Sequence, residues 1–273
     1  MYKGVIAIDM DGTLLQRDFI IKEKDLVALK KAHSLGYLLV ICTGRGASVV
    51  INNLANWGLD EIVDVIIGSN GSQYYSVKDS KEIEDLGWIT KACIEEGLKL
   101  CGNEKFGFAW YNGERMFSNK HNHRLSIMSQ QMKLEVILLE DDELIDYLPD
   151  RWPKAVFFLK EERQRYLKDH IEKHKTEPFD LVFSEHLFLE MIPAGINKGT
   201  GLDEVCKRYN IDHKDTMAIG DGENDLLLLK KSGYGVAMGN AVDLLKDIAD
   251  YVTDTSENCG VAQAIEKYLK IKE

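Results

Sequence analysis

At the start of the chain, apolar residues gather in three short unbroken runs: Gly4-Val5-Ile6-Ala7-Ile8, then residues 37–42, then Val65-Ile66-Ile67. Runs of this length, rich in β-branched side chains and without polar alternation, describe strands buried on both faces. Between the first two, residues 22–35 read as a helix that Gly36 stops. After the second come a turn at Thr43-Gly44-Arg45 and another helix that ends before Gly58. The third run leads into Gly68-Ser69-Asn70-Gly71. Strands alternating with helices at such spacing predict βαβ units and a parallel sheet.

The rhythm then changes. Residues 73–86 read as a hairpin, with Tyr74, Tyr75 and Val77 ahead of the polar tip Lys78-Asp79-Ser80. From about residue 86 to 190, strand candidates (106–111, 115–118, 136–139, 155–159, 181–184, 188–192) mingle with helices near 121–133 and 161–174. Spacing this tight does not allow parallel pairing throughout and gives an α+β pattern. Beyond Pro193 the first rhythm returns, with helix 199–209, strand 217–220, helix 223–232, strand 236–238, helix 241–249, a short strand at 251–253 and a closing helix. The expected fold class is α/β: a Rossmann-like parallel-sheet core from residues 1–85 and 191–273, with an α+β domain inserted at 86–190.

A chain of 273 residues with 45% apolar content is long enough for two cores, since a single core stops growing near this length. The net charge of −11, from 34 basic and 45 acidic side chains, argues against a nucleic-acid backbone or an anionic membrane surface as main partner. An anionic small substrate stays open, because the local field at a site matters more than net charge. Five scattered cysteines (Cys42, Cys93, Cys101, Cys206 and Cys259) include no CxxC pair and read as free thiols in a reducing compartment. The opening strand with its two aspartates is no signal peptide, and no apolar stretch approaches bilayer-spanning length, so a cytoplasmic location is expected. Nothing in the pattern bears on oligomeric state.

Three segments fall at the carboxyl ends of expected parallel strands: Asp9-Met10-Asp11-Gly12-Thr13, Thr43-Gly44-Arg45 and Gly220-Asp221-Gly222-Glu223-Asn224-Asp225. Open α/β sheets bind ligands at that edge, so residues far apart in sequence would gather in one crevice. Any one of these aspartates reads well enough as a turn former or helix cap; the set does not. Two carboxylates about 4 Å apart repel by roughly 4 kcal/mol at an effective dielectric of about 20, and a phosphate dianion would add to that. A hard cation resolves the conflict, and an all-oxygen ligand set favours Mg²⁺ over zinc. Thr43 and Gly44, where a helix begins, offer N–H groups and a hydroxyl to phosphate oxygens, though an ordinary N-cap accounts for them as well. Lys198 opens a helix whose dipole disfavours it, which makes sense if it faces the carboxylates and a phosphate.

DMDGT (9–13), TGR (43–45), Asn197-Lys198-Gly199 and GDGEND (220–225) resemble the four motifs of the haloacid dehalogenase-like superfamily. The α+β insert between the second and third resembles the cap of its Cof-type sugar-phosphatase branch. The likeness runs from the first strand to the last helix. It implies a Mg²⁺-dependent phosphatase acting on small phosphorylated metabolites, sugar phosphates or related monoesters. Asp9 would be the nucleophile that forms an aspartyl-phosphate, and Asp11 would protonate the leaving oxygen and then serve as base for water. The resemblance further implies that Asp9, the Asp11 backbone carbonyl and Asp221 bind the metal. Thr43, Gly44, Lys198, Asn224 and the Met10 N–H would hold the phosphoryl group, with Asp225 supporting the metal's outer shell or orienting Lys198.

The insert is expected to close over the crevice and touch the leaving group. Its polar run Asn119-Lys120-His121-Asn122-His123-Arg124 reads as a solvated loop opening a helix or as a substrate contact, while Trp110, Tyr111, Trp152 and Phe157 read as its core. Asn70 and Gly71 either close a strand in a plain turn or, by the resemblance, lie near the substrate. Two rival functions stand beside phosphatase. A sugar-phosphate mutase of the same superfamily would return the phosphoryl group to a sugar. A non-catalytic phospho-accepting module would need neither Asp11 nor a lid.

Overall fold

The computed structural model describes residues 2–16, 19–101, 107–111, 115–121, 123–132, 134–158, 161–184 and 188–272. The apolar runs become strands because each is buried along its whole length. In chain order the first segment gives β1 (Gly4–Ile8), α1 (Glu23–Ser34), β2 (Tyr37–Cys42), α2 (Ala47–Ile51), β3 (Val65–Gly68), β4 (Gln73–Ser76) and β5 (Glu84–Asp85). The middle segment gives β6 (Ile89–Thr90), α3 (Lys91–Cys101), β7 (Gly107–Tyr111), β8 (Arg115–Ser118), α4 (His123–Met132), β9 (Glu135–Leu138), α5 (Asp141–Asp146), β10 (Arg151–Trp152), β11 (Ala155–Phe158), α6 (Glu161–His174), β12 (Phe179–Ser184) and β13 (Phe188–Pro193). The last segment gives α7 (Lys198–Tyr209), β14 (Thr216–Gly220), α8 (Leu226–Lys231), β15 (Tyr234–Ala237), α9 (Asp243–Lys246), β16 (Tyr251–Val252) and α10 (Gly260–Lys272).

The chain divides into two compact units, Met1–Leu86 with Ile196–Glu273, and Gly87–Gly195. In the first, the described residues form an eight-stranded sheet in the order β16-β15-β14-β1-β2-β3-β4-β5. Strands β16 through β3 run parallel, and β4 and β5 reverse direction in turn. From β1 the chain winds one way through β2 and β3, and after the insert it winds the other way through β14, β15 and β16. The reversal of order beside β1 opens a crevice at the carboxyl ends of β1 and β14. The register aligns those ends: Ile8 lies opposite Ile41 and Ile219, and Cys42 opposite Ile67. One apolar core, from Val5 to Leu269, supports this sheet on both faces.

In the second unit the described residues form a six-stranded sheet, β12-β13-β11-β7-β8-β9, antiparallel except where β8 and β9 run parallel, and a short ribbon pairs β10 with β6. Its core holds Phe108 edge-on to Phe157 at 5.2 Å and Trp110 stacked on Phe117 at 4.2 Å. Trp152 packs against this core, as expected. Tyr111 is buried too, and neighbours the buried Lys154–Glu190 ion pair (2.6 Å), with the ammonium 5.6 Å from its ring. The expected return to the first unit at 191 falls inside β13, where Met191, Ile192 and Pro193 still pair with Leu181, Asp180 and Phe179, so the chain re-enters at Ile196. Expected strand residues 106 and 159, helix residue 133 and Asn122 of the polar run lie outside the described residues. No described helix is long and apolar enough to cross a membrane.

Candidate active site

Asp9 continues β1 beyond its last paired residue, its N–H donating to the Ile219 carbonyl at 3.0 Å. The chain then curls at Gly12, whose φ of +80° is open to glycine, and a Cβ there would stand 2.3 Å from an Asp221 oxygen. This close approach draws the loop after β1 to the loop after β14. Thr13 Oγ1 donates to Asp221 Oδ1 at 3.0 Å. Asn240 Nδ2 donates to the Gly12 carbonyl at 2.8 Å and to Asp221 Oδ2 at 3.3 Å.

Lys198 is the first residue of α7, behind an Asn197 N-cap that forms a capping box with Thr200. The box sets where the helix starts, and so where Lys198 points. Its side chain is 1% exposed, and Nζ donates to Asp9 Oδ1 at 2.6 Å and Asp225 Oδ1 at 2.7 Å. Burial by itself would push this lysine down, but the Asp225 and Asp9 charges outweigh it and hold the ammonium above its ordinary range. Burial also drives Asp9 well above the usual carboxylate range; the Lys198 charge opposes that rise, while Asp225 and Asp221 add to it. Asp221 is pushed up to about 7, first by burial and then by Asp225, against the Thr13 hydrogen bond. One lysine does not neutralise three carboxylates.

The oxygens of Asp9, Asp221 and Asp225 lie within 4.8 Å of one another. Asp225 is already committed: Oδ1 accepts from Lys198, and Oδ2 accepts the N–H groups of Asp221 (3.0 Å) and Gly222 (2.9 Å). It therefore orients Lys198 and shapes the turn that presents Asp221. Asp9 and Asp221 are left to face each other, a hard-oxygen pair with excess negative charge, which fits a divalent cation bound through oxygen.

The remaining motif residues converge on the same edge, with two corrections. The helix after the second motif starts at Ala47 behind a Gly46 N-cap, so Thr43 and Gly44 precede its first turn and do not begin it. The Thr43 N–H is spent on the Ile67 carbonyl at 2.9 Å, which removes it as a phosphate donor; its Oγ1 accepts the Arg45 N–H at 3.1 Å, leaving the hydroxyl hydrogen to donate elsewhere. Met10 lies at the turn, its carbonyl accepting from the Thr13 and Leu15 N–H groups. Asn224 sits in a single 3₁₀ turn, Glu223–Asp225, and gives one amide donor to Asn70 Oδ1 at 3.0 Å.

Arg45 is the residue that sequence reasoning left without a role. It is 4% exposed and grips Asp11 with Nε to Oδ2 at 2.7 Å and Nη2 to Oδ1 at 2.5 Å. Its place in Thr43-Gly44-Arg45 was the available signal, since a bidentate fork suits arginine. Asn240 had no such signal, because its loop follows β15 and carries no motif.

The sequence matches the haloacid dehalogenase-like hydrolase family over residues 6–265. It is 30% identical to a 5-amino-6-(5-phospho-D-ribitylamino)uracil phosphatase of Bacillus subtilis (strain 168), over 97% of this chain and 95% of that protein. It is 27% identical to an HMP-PP phosphatase of Yersinia enterocolitica, over 98% of this chain and 96% of that one. Among solved structures, a haloacid dehalogenase-like hydrolase from Bacteroides thetaiotaomicron superposes with a TM-score of 0.82 at 24% identity, covering 98% of this chain and 100% of that one. A subclass IIB sugar phosphatase of the superfamily also gives a TM-score of 0.82, at 22% identity over 97% and 98%.

Proposed function

The chain belongs to the haloacid dehalogenase-like hydrolase family as one of its phosphatases, and from that premise we propose that it hydrolyses small phosphorylated metabolites with Mg²⁺, by way of a phosphoryl group carried on Asp9. The observation that carries this reading is the Lys198 ammonium bridging Asp9 and Asp225 beside Asp221. It supplies a buried nucleophile with positive charge already in place for an incoming phosphate.

In this reading Asp9 attacks phosphorus through one carboxylate oxygen while the bond to the leaving oxygen breaks. Lys198, the Thr43 hydroxyl and Asn224 hold the equatorial phosphoryl oxygens, with the Met10 and Gly44 backbone, as charge builds there. Asp9, Asp221 and the Asp11 carbonyl would hold Mg²⁺, which would supply the positive charge that offsets the crowded carboxylates and the phosphate. Asp11 gives a proton to the leaving oxygen and takes one from the water that cleaves the aspartyl-phosphate. Both of its oxygens accept from Arg45, so the acid step requires Asp11 to turn from Arg45 toward the leaving group and to take up from solvent the proton it then gives. A cytoplasmic location and a sugar-phosphate or related monoester substrate complete the reading.

The test is phosphate release from a panel of sugar phosphates, nucleotides and phosphorylated cofactor precursors, including the ribitylaminouracil phosphate named for the Bacillus relative. Wild type should turn over at least one, and Asp9→Asn should lower that rate by roughly a thousandfold or more. Activity that survives both EDTA and Asp9→Asn refutes the mechanism. Isomerised product without phosphate release would favour a mutase, and stable phosphorylation without turnover a phospho-accepting module.

A further inference from the structure

The strand β3 ends in three successive residues with left-handed backbone: Ser69 (φ 51°), Asn70 (φ 55°) and Gly71 (φ 107°). Only the last is glycine. Non-glycine residues are strained in this region, so two in succession persist only where the surroundings over-determine them. Here they do. The Ser69 N–H donates to the Arg45 carbonyl at 2.7 Å and the Asn70 N–H to the Thr43 carbonyl at 3.0 Å, clasping the second motif from behind. Ser69 Oγ and the Ala47 N–H both donate to Gln73 Oε1, at 3.1 and 3.0 Å, so the clasp extends to the start of α2. A Cβ on Gly71 would lie 2.2 Å from the Asn197 carbonyl, the peptide that leads into Lys198. The Asn70 side chain, 1% exposed, accepts from Asn224 Nδ2 at 3.0 Å. One turn thus touches the segments carrying Thr43, Lys198 and Asn224.

We infer that Asn70 is a positioning residue: its side-chain oxygen sets the amide plane of Asn224, and its left-handed backbone holds Thr43, so that the two groups present their donors to one phosphoryl oxygen set. The inference rests on the phosphatase reading above and adds to it a residue that works through Asn224 and never touches phosphate itself. Asparagine suits the position for two reasons at once. It tolerates left-handed backbone better than other residues that carry a Cβ, and its amide oxygen accepts a hydrogen bond that glycine could not.

Asn70→Gly separates the two reasons, since it keeps the backbone at ease and deletes the oxygen. Asn70→Ala repeats the deletion with a Cβ retained, should the glycine variant lose stability. Both are measured alone and with Asn224→Ala, reading the inhibition constant for inorganic phosphate and the split between KM and kcat. The expected result is a rise of about tenfold in phosphate inhibition constant and KM for each single change, with Asn70→Gly adding less than about twofold once Asn224 is alanine. Effects of Asn70→Gly and Asn224→Ala that multiply, or an Asn70→Gly enzyme that holds phosphate as wild type does, overturn the inference while wild-type turnover keeps the phosphatase reading intact. A wild-type protein that releases no phosphate across the panel overturns that reading first, and the inference with it.

Discussion

The two ends of the core sheet both bury aspartate, to opposite effect. At the amino ends of β2 and β3, Asp64 is 3% exposed and meets only donors: the Leu39 N–H at 3.0 Å, Tyr2 hydroxyl at 3.3 Å, Lys78 Nζ at 3.1 Å and His33 Nε2 at 3.6 Å. At the carboxyl ends, Asp9, Asp221 and Asp225 crowd within 4.8 Å of one another, and the Lys198 ammonium pairs with Asp9 and Asp225 while the Asp221 side chain accepts from the neutral donors Thr13 and Asn240. A carboxylate surrounded by donors is finished as structure. Carboxylates that outnumber the cations beside them leave charge to be met by something that binds, which makes the same residue type functional. Asp25 stands between these cases. It is 1% exposed on α1, accepts the Ala262 N–H at 2.7 Å in the first turn of α10, and burial pushes it up to about 6 against that bond and the Lys22 charge.

Removing Lys198 should break the comparison most sharply. Lys198→Met leaves Asp9 and Asp225 facing each other without a counter-charge, and should cost about 3–5 kcal/mol in denaturant unfolding as well as phosphatase activity. A cation should act in the opposite sense. Mg²⁺ at a hundredfold excess over its dissociation constant should stabilise the native protein by about 2.7 kcal/mol, seen as a higher melting temperature. Because Asp221 is pushed up to about 7 and Asp9 also upward, protons compete with the metal. The Mg²⁺-dependent rise should therefore shrink as pH falls from 8 to 6, and vanish in Asp221→Asn.

At the amino end, Asp64→Asn keeps the shape but loses the charge and places an amide among donors. It should cost about 2 kcal/mol of stability while kcat and KM of the folded protein stay at wild-type values; a large loss of kcat would show the two ends to be coupled. Asp25 gives the smallest effect. Its native value lies above the ordinary one near 4, so its stabilising contribution is complete below about pH 4 and is lost as pH rises through about 6. Asp25→Asn retains an oxygen for the Ala262 N–H and should flatten that pH dependence, read from unfolding midpoints between pH 4 and 7.

The first unit was legible because its strands are buried on both faces and its motifs sit at their ends. Residues 37–42 and the run 4–8 were placed without error, since an unbroken apolar run has one reading there. The insert was harder. The pattern marks both ends of α6, whereas the two-residue strands β6 and β10 are too short to carry a periodic signal. Helix α3 over Lys91–Cys101 does carry one, with Cys93, Ile94, Gly97 and Cys101 buried at helical spacing, yet it is not singled out from the sequence. Helices α8 and α9 came out shorter than expected, as 3₁₀ turns and capping residues took up their ends.

By itself the sequence determined the fold class, the family and the motif positions that fall at one edge of the sheet, since strand periodicity and motif order are local properties of the chain. Tertiary structure decided how those groups are engaged. The Asp11–Arg45 fork spans 34 positions, the Lys198–Asp9 contact 189 and the Asn224–Asn70 bond 154. No local pattern encodes which donor meets which acceptor across such separations. The sheet's register and the burial of Lys198, Asp225 and Asn70 settle it, because a buried polar group must find its partner wherever the fold brings one.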